Sequence, residues 1–141
     1  MNFDKIKIFA LVLFAFVFTS FAFAQLKLEP KAVVRPTAYN FGEIAQDSVV
    51  TTHFVITNEG SELLKIKKVS ASCGCTAAVS EKNELKQGES TEIKVTFDSK
   101  GKSGLQNKTV YIETNDPKNS TIKLALTGTI VLKGKESNHN H

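Results

Sequence analysis

No Gly-x-Ser-x-Gly elbow, phosphate-binding loop or His-Glu-x-x-His helix occurs in the 141 residues, so the chain lacks the local templates of the commonest hydrolases, nucleotide enzymes and metalloproteases. Histidine is scarce. Two of the three imidazoles, His139 and His141, stand in the terminal Asn138-His139-Asn140-His141, which leaves His53 as the only base for a nucleophile–base pair in the body of the chain. Cysteine is scarcer still: Cys73 and Cys75 are the only two, and with one residue between them they cannot staple distant strands. Beyond residue 24 five aromatics remain, Tyr39, Phe41, Phe54, Phe97 and Tyr111, too few for a base-stacking surface. Glu81 and Glu84 come nearest to paired carboxylates, a pattern commonplace at turns. No catalytic residue is assigned, and the chain reads as a protein without enzymatic activity.

What is abundant is concentrated at the front. The first 24 residues hold 7 of the 10 phenylalanines. Lys5 and Lys7 give a positive start, Ile8 to Phe18 is apolar and uncharged, and Ala22-Phe23-Ala24 fits a small-x-small cleavage site before Gln25. Residues 1–24 are therefore expected to be a secretory signal peptide cut after Ala24, although the 17 uncharged residues from Ile8 to Ala24 also reach the lower limit for a membrane span. Gln25 in place of Cys excludes the usual lipid attachment. The mature chain is expected to be exported, to the periplasm or outside the cell, with no stable membrane insertion. It keeps sixteen basic against thirteen acidic residues, a charge of +3 that is too small and too dispersed to suggest nucleic acid as a partner.

The remaining 117 residues suffice for one domain. Leu26 to Arg35 reads as a mixed lead-in closed by Pro36, so that residues 25–36 precede the domain proper. From Thr37 apolar residues recur at every second position, the period of a strand. Val50, Thr52, Phe54 and Ile56 share one face, opposite Val49, Thr51, His53 and Val55; Thr91, Ile93, Val95 and Phe97 oppose Glu92, Lys94 and Thr96. Val110, Ile112 and Thr114, then Ile122, Leu124 and Leu126, repeat the pattern. Gly, Asn and Pro signals divide the chain into about seven strands, near 37–41, 48–58, 63–71, 76–80, 90–97, 107–114 and 120–132. No window sustains a period of 3.6. An all-β, immunoglobulin-like sandwich over residues 37–132 is expected, with little or no helix and a disordered polar tail over 133–141.

The one segment with chemical potential is Ala71-Ser72-Cys73-Gly74-Cys75-Thr76. Three uses of the pair stay open. An oxidising compartment permits a local disulfide between Cys73 and Cys75, with Gly74 free to bend the backbone. Two thiolates on one side of a strand are also ligands for a soft ion such as Cu(I). The third is a redox couple, although Cys-x-x-Cys is the commoner redox spacing. His139 and His141 would complete four zinc ligands with the cysteines, against the simpler reading of a flexible tail. Asn107-Lys108-Thr109 and Asn119-Ser120-Thr121 match glycosylation acceptors, relevant only in a eukaryotic secretory pathway.

Tyr39-Asn40-Phe41-Gly42-Glu43-Ile44, His53-Phe54-Val55-Ile56-Thr57-Asn58-Glu59-Gly60, Leu64-Lys65-Ile66, Ser72-Cys73-Gly74-Cys75-Thr76, Leu85-Lys86-Gln87-Gly88-Glu89, Thr114-Asn115 and Leu126-Thr127-Gly128, in that order, resemble the bacterial family known as domain of unknown function 1573 (DUF1573). The resemblance spans most of Thr37 to Leu132, and its most specific part is Ser-Cys-Gly-Cys-Thr. It implies an exported immunoglobulin-like sandwich akin to the modules of cilia-associated (ASH) and major sperm (MSP) proteins, and no established activity or ligand. Gln87 departs from the family's usual Pro-Gly-Glu turn. The expected function is a binding or scaffolding module of the cell envelope whose partner is another envelope protein, with no cofactor; the alternative is a copper(I) or thiol-redox protein built on Cys73 and Cys75.

Overall fold

The computed structural model describes residues 2–10, 27–74 and 76–132. Residues 3–10, inside the stretch read as a signal peptide, are helical, and all other regular structure among the described residues is β. Cleavage at Ala24 and the tail 133–141 fall outside the described residues.

Among the described residues nine strands build two facing sheets. The first is four-stranded, in the order β1 (Ala32–Arg35), β3 (Val49–Asn58), β7 (Ser90–Asp98), β5 (Thr76–Ser80). The second has five strands, in the order β2 (Ala38–Ala45), β9 (Thr121–Val131), β8 (Gly104–Thr114), β4 (Leu64–Ala71), β6 (Glu84–Leu85). All pairings are antiparallel except β2 with β9.

The alternation places the core where the period of two requires it. Phe54, Ile56, Ile93, Val95 and Phe97 of the first sheet meet Leu64, Val110, Ile112, Leu124 and Leu126 of the second, and all of these are buried. His53 and Lys94, directly opposite one another on β3 and β7, are exposed. Thr52, Thr91 and Thr114 are buried too, because their positions in the alternation point inward.

All seven expected strands are present, and the structure adds two. The first new strand, β1, lies within the stretch read as a lead-in. Four residues ending in Arg35 and Pro36 are too few to display a period, and what makes them a strand is the partner: Val33 and Val34 stand opposite Thr57 and Ile56. The cis Arg35–Pro36 peptide then separates β1 in one sheet from β2 in the other. The second, β6, has only two residues and is defined by contacts distant in sequence: Asn83 accepts a bond from the Ile66 amide at 2.8 Å, and fully buried Leu85 lies opposite Leu64.

The β2 motif explains itself in three dimensions. Its register on β9 shifts between Asn40 and Glu43, where Gly42 takes φ 69° and donates its amide to Asn40 Oδ1 at 2.8 Å. The bulge turns Phe41 over Gly128 of β9, so close that a Cβ there would lie 2.1 Å from the ring. Phe41 consequently stacks on Phe97 at 5.4 Å between centroids, with 20° between the ring planes.

Candidate functional site

The Cys-Gly-Cys segment sits at a corner of the sandwich, where the chain leaves β4 in the five-stranded sheet and enters β5 in the four-stranded one. Its start is fixed to β8: the Ser72 amide donates to Thr109 O at 2.8 Å, and the Thr109 amide returns a bond to Ser72 Oγ at 3.0 Å. Cys73 is half-buried; its Sγ lies 3.6 Å from Thr76 Oγ1, and its carbonyl accepts the Thr76 amide at 3.2 Å. Thr76 is buried and begins β5 opposite Phe97. Among the described residues there is no free thiol. Cys75 itself lies outside them.

Gly74 was expected to bend the chain. It is exposed, its φ is not in the left-handed region, and a Cβ added to it would meet nothing within 4 Å. Neither crowding nor a positive φ therefore reserves this position for glycine.

The remaining candidates are not brought together. His53 is in mid-β3, on the outer face of the four-stranded sheet. Glu81 and Glu84 are both exposed; Glu84 pairs with Lys65 at 3.4 Å, and the Glu81 amide continues the ladder to Glu92 O. His139 and His141 lie outside the described residues. No group of three or more His, Cys, Asp or Glu placed to hold a metal ion occurs among the described residues.

The polar residues that matter most to the structure cluster at the opposite end of β3, and they bind backbone. Asn58 is fully buried. Its Nδ2 donates to Glu62 O at 2.7 Å and Leu85 O at 2.9 Å, and its Oδ1 accepts the amides of Gly60 at 2.9 Å and Lys31 at 3.3 Å. One side chain thus ties together the approach to β1, the β3–β4 turn and β6. Gly60 is required by close approach, since a Cβ would lie 2.3 Å from Glu29 O. Thr114, Asn115 and Asp116 do comparable work after β8. The buried Asp116 carboxylate accepts amides from Ala32, Lys118 and Asn119 at 2.9, 2.8 and 3.2 Å, while Asn115 joins Leu63 O and the Lys65 amide. Such a role shows in sequence only as Asn and Asp next to Gly or Pro at strand ends, the composition of any turn.

Beside this cluster runs a groove of about 690 Å³, bounded by Lys27, residues 29–34, Glu59, Lys118 and Ile122. Its rim alternates in charge. Glu29 faces Lys27 and, at 3.4 Å, Lys118; Glu59 faces Lys31 at 2.9 Å and Arg35 at 3.6 Å. Hydrogen bonding from Lys27 holds the Glu29 carboxyl below its ordinary range against an opposing desolvation, with help from Lys118, and Lys31 does the same for Glu59. The residues that line the groove set Lys27, Lys31 and Lys118 against Glu29, Glu59 and Asp116, so the lining has no excess of either sign on which to select a ligand.

The model of the family described as "Protein of unknown function (DUF1573)" matches residues 33–130. Comparison with curated proteins returns no match. Solved structures are similar in fold. A protein of unknown function from Porphyromonas gingivalis W83 is 19% identical with a TM-score of 0.65; the match covers 77% of this chain and 51% of that one, so this chain spans about half of that relative's length. The ASH/PapD-like domain 7 of human CEP192 is 12% identical at a TM-score of 0.59, covering 75% of this chain and 89% of that chain. SSP-19, an MSP-domain protein like family member of Caenorhabditis elegans, is 12% identical at a TM-score of 0.52, covering 69% and 98%. Similarity at this level of identity concerns the fold alone.

Proposed function

We propose, for a chain that belongs to the DUF1573 family, that it serves as an exported, non-enzymatic binding or scaffolding module of the bacterial cell envelope, with another envelope protein as its partner. One observation carries the reading: most of the polar side chains buried in this sandwich, Asn58, Ser99, Gln106, Thr114 and Asp116, are engaged in holding backbone. Asn58, Asp116 and Ser99 each join segments far apart in sequence; Ser99 Oγ accepts the Ser48 amide at 2.8 Å and donates to Ala45 O at 3.1 Å. A fold so organised offers strand edges and outer faces rather than a reactive cleft. The family match and the PapD-like fold agree with such a role, and the basic start, apolar run and Ala22-Phe23-Ala24 support export. In an oxidising compartment Cys73 pairs with Cys75, the only other cysteine of the chain, in accord with Cys73 not being a free thiol.

The test is photo-crosslinking in the native cell, with a reactive residue at exposed positions on each outer face, His53 and Lys123 among them. A discrete adduct from one face is expected, together with a mature amino terminus at Gln25 by intact mass. A chain retained unprocessed in the cytoplasm, or adducts from none of the positions, overturns the reading. Titration of the reduced protein with Cu(I) decides the alternative: stoichiometric binding lost on replacing both cysteines by serine would make this a copper protein.

A further inference from the structure

Two sheets present four edges, and three of them carry devices that discourage pairing with another strand. The β1 edge ends in Arg35 and the cis-bonded Pro36, and the outward amide of Ala32 is taken by the Asp116 carboxylate at 2.9 Å. The β2 edge is broken by the bulge at Asn40 to Glu43. The β6 edge is two residues long and bears the exposed Lys65–Glu84 pair. The fourth edge strand, β5, has none of these. The half of β3 that β1 does not cover, Val49 to Phe54, also has no strand beside it on that side among the described residues, but it is one end of a strand whose other end is covered, whereas β5 is open along its whole length. Thr76-Ala77-Ala78-Val79-Ser80 contains no charge, proline or glycine, and its register on β7 runs unbroken from Thr76 opposite Phe97 to Ser80 opposite Ile93.

The phase of the ladder fixes which groups this edge presents. The Glu81 amide donates to Glu92 O directly opposite, so along the antiparallel pair Val79 and Ala77 also exchange their bonds with β7, and the amides and carbonyls of Ala78 and Ser80 turn to the open side. Of the side chains on the outer face of this edge, Val79 is 58% exposed.

We propose that this edge pairs with the same edge of a second copy of the chain, antiparallel and centred on Ala78. The order of side chains selects this occupant. A two-fold contact needs a segment that matches itself when reversed, and β5 does: alanine stands at the centre, a hydroxyl residue at each end, and Ala77 falls opposite Val79 of the second copy. No like charges meet across the pair. The two four-stranded sheets become one continuous sheet through both sandwiches. A contact of five residues a side falls below the roughly 1,200 Å² of stable interfaces, so the dimer dissociates on dilution. This assignment goes beyond the envelope reading and stands or falls independently of it.

Sedimentation velocity of the untagged mature chain, from micromolar to millimolar concentration, tests it with two substitutions. Val79→Lys puts a charge on the edge; Ala78→Pro removes an amide that points away from β7, leaving the internal ladder whole. Because one alters the side chain and the other the backbone, unfolding of either leaves the other to decide. Hydrogen exchange on the unmodified chain adds a readout that needs no variant. The expected result is a sedimentation coefficient that rises with concentration for the parent and stays monomeric for both variants, with the Ala78 and Ser80 amides exchanging more slowly as the parent is concentrated. A parent that remains monomeric throughout, or variants that associate as it does, overturns the pairing and leaves the edge to a different extended segment.

Discussion

Asn58 makes four side-chain hydrogen bonds to backbone groups while shielded from water, and this makes it less replaceable than any single core methyl group. Asn58→Ala strands two carbonyls and two amides, each costing of order 1–3 kcal/mol if left unsatisfied. Some will find water at the turn, so a loss of about 3 kcal/mol or more in denaturant unfolding, at unchanged slope, is the expected outcome. Glu59, the next residue, acts electrostatically. Its carboxyl is held low by Lys31, so its contribution to stability is present above its unfolded value near 4.5 and is lost as pH falls through the folded one. Unfolding midpoints of the parent should therefore fall more steeply below pH 4.5 than those of Glu59→Gln, and added salt should narrow the gap. An unchanged pH profile in the variant would detach Glu59 from acid stability.

Elements were legible in sequence to the extent that they alternate. The inward positions of β3, β7, β8 and β9 follow from period two because each strand is long enough to show several repeats with one face in water. β1 and β6 were not legible, since four and two residues contain no repeat and their existence depends on Thr57, Asn58 and Ile66 reaching them from elsewhere. The β2 bulge falls between these cases: Phe-Gly signals a turn, whereas the structure uses the glycine within a strand to lay Phe41 across Gly128. Gly128→Ala should cost about 1–3 kcal/mol, because the ring can yield only by leaving Phe97. The same change made on Phe41→Ala should cost measurably less, and equal costs in a double-mutant cycle would refute the contact. The turn from Lys86 to Glu89 offers the opposite sign. Gly88 has φ 76° and the Glu89 amide bonds Lys86 O at 3.0 Å, a type II geometry in which proline fits at the second position. Gln87→Pro should raise stability by about 0.4–1 kcal/mol through the unfolded chain, detectable as a higher denaturant midpoint.

At the scale of the whole molecule, the sandwich and its cysteine corner are stabilised by different means, and this decides what the corner is free to do. The sandwich rests on Phe54, Phe97 and the aliphatic layer around them, which are fully withdrawn from water and drawn from strands far apart in sequence. The corner is fixed by Ser72 on β8 and by the ladder of Thr76 on β7, in addition to the contact of Cys73 Sγ with Thr76 Oγ1. Its position was legible because the two cysteines stand one residue apart in sequence; its chemistry was less so, because Gly74 turns out not to be demanded by crowding or a positive φ. A bridge enclosing a single residue restricts the unfolded chain far less than one joining distant strands, whereas core burial at about 25 cal/mol per Å² of apolar surface amounts to tens of kcal/mol before entropy is subtracted. Replacing Cys73 and Cys75 together by serine should therefore leave a folded sandwich whose denaturant midpoint corresponds to a loss under about 3 kcal/mol, with reduction of the parent producing a similar shift. Near-ultraviolet circular dichroism and unfolding curves of parent, reduced parent and double variant make the comparison. A larger loss in the variant would mean that the corner anchors the two sheets to one another and that its sulfurs are structural; a small one leaves them available for chemistry on a scaffold that does not depend on them.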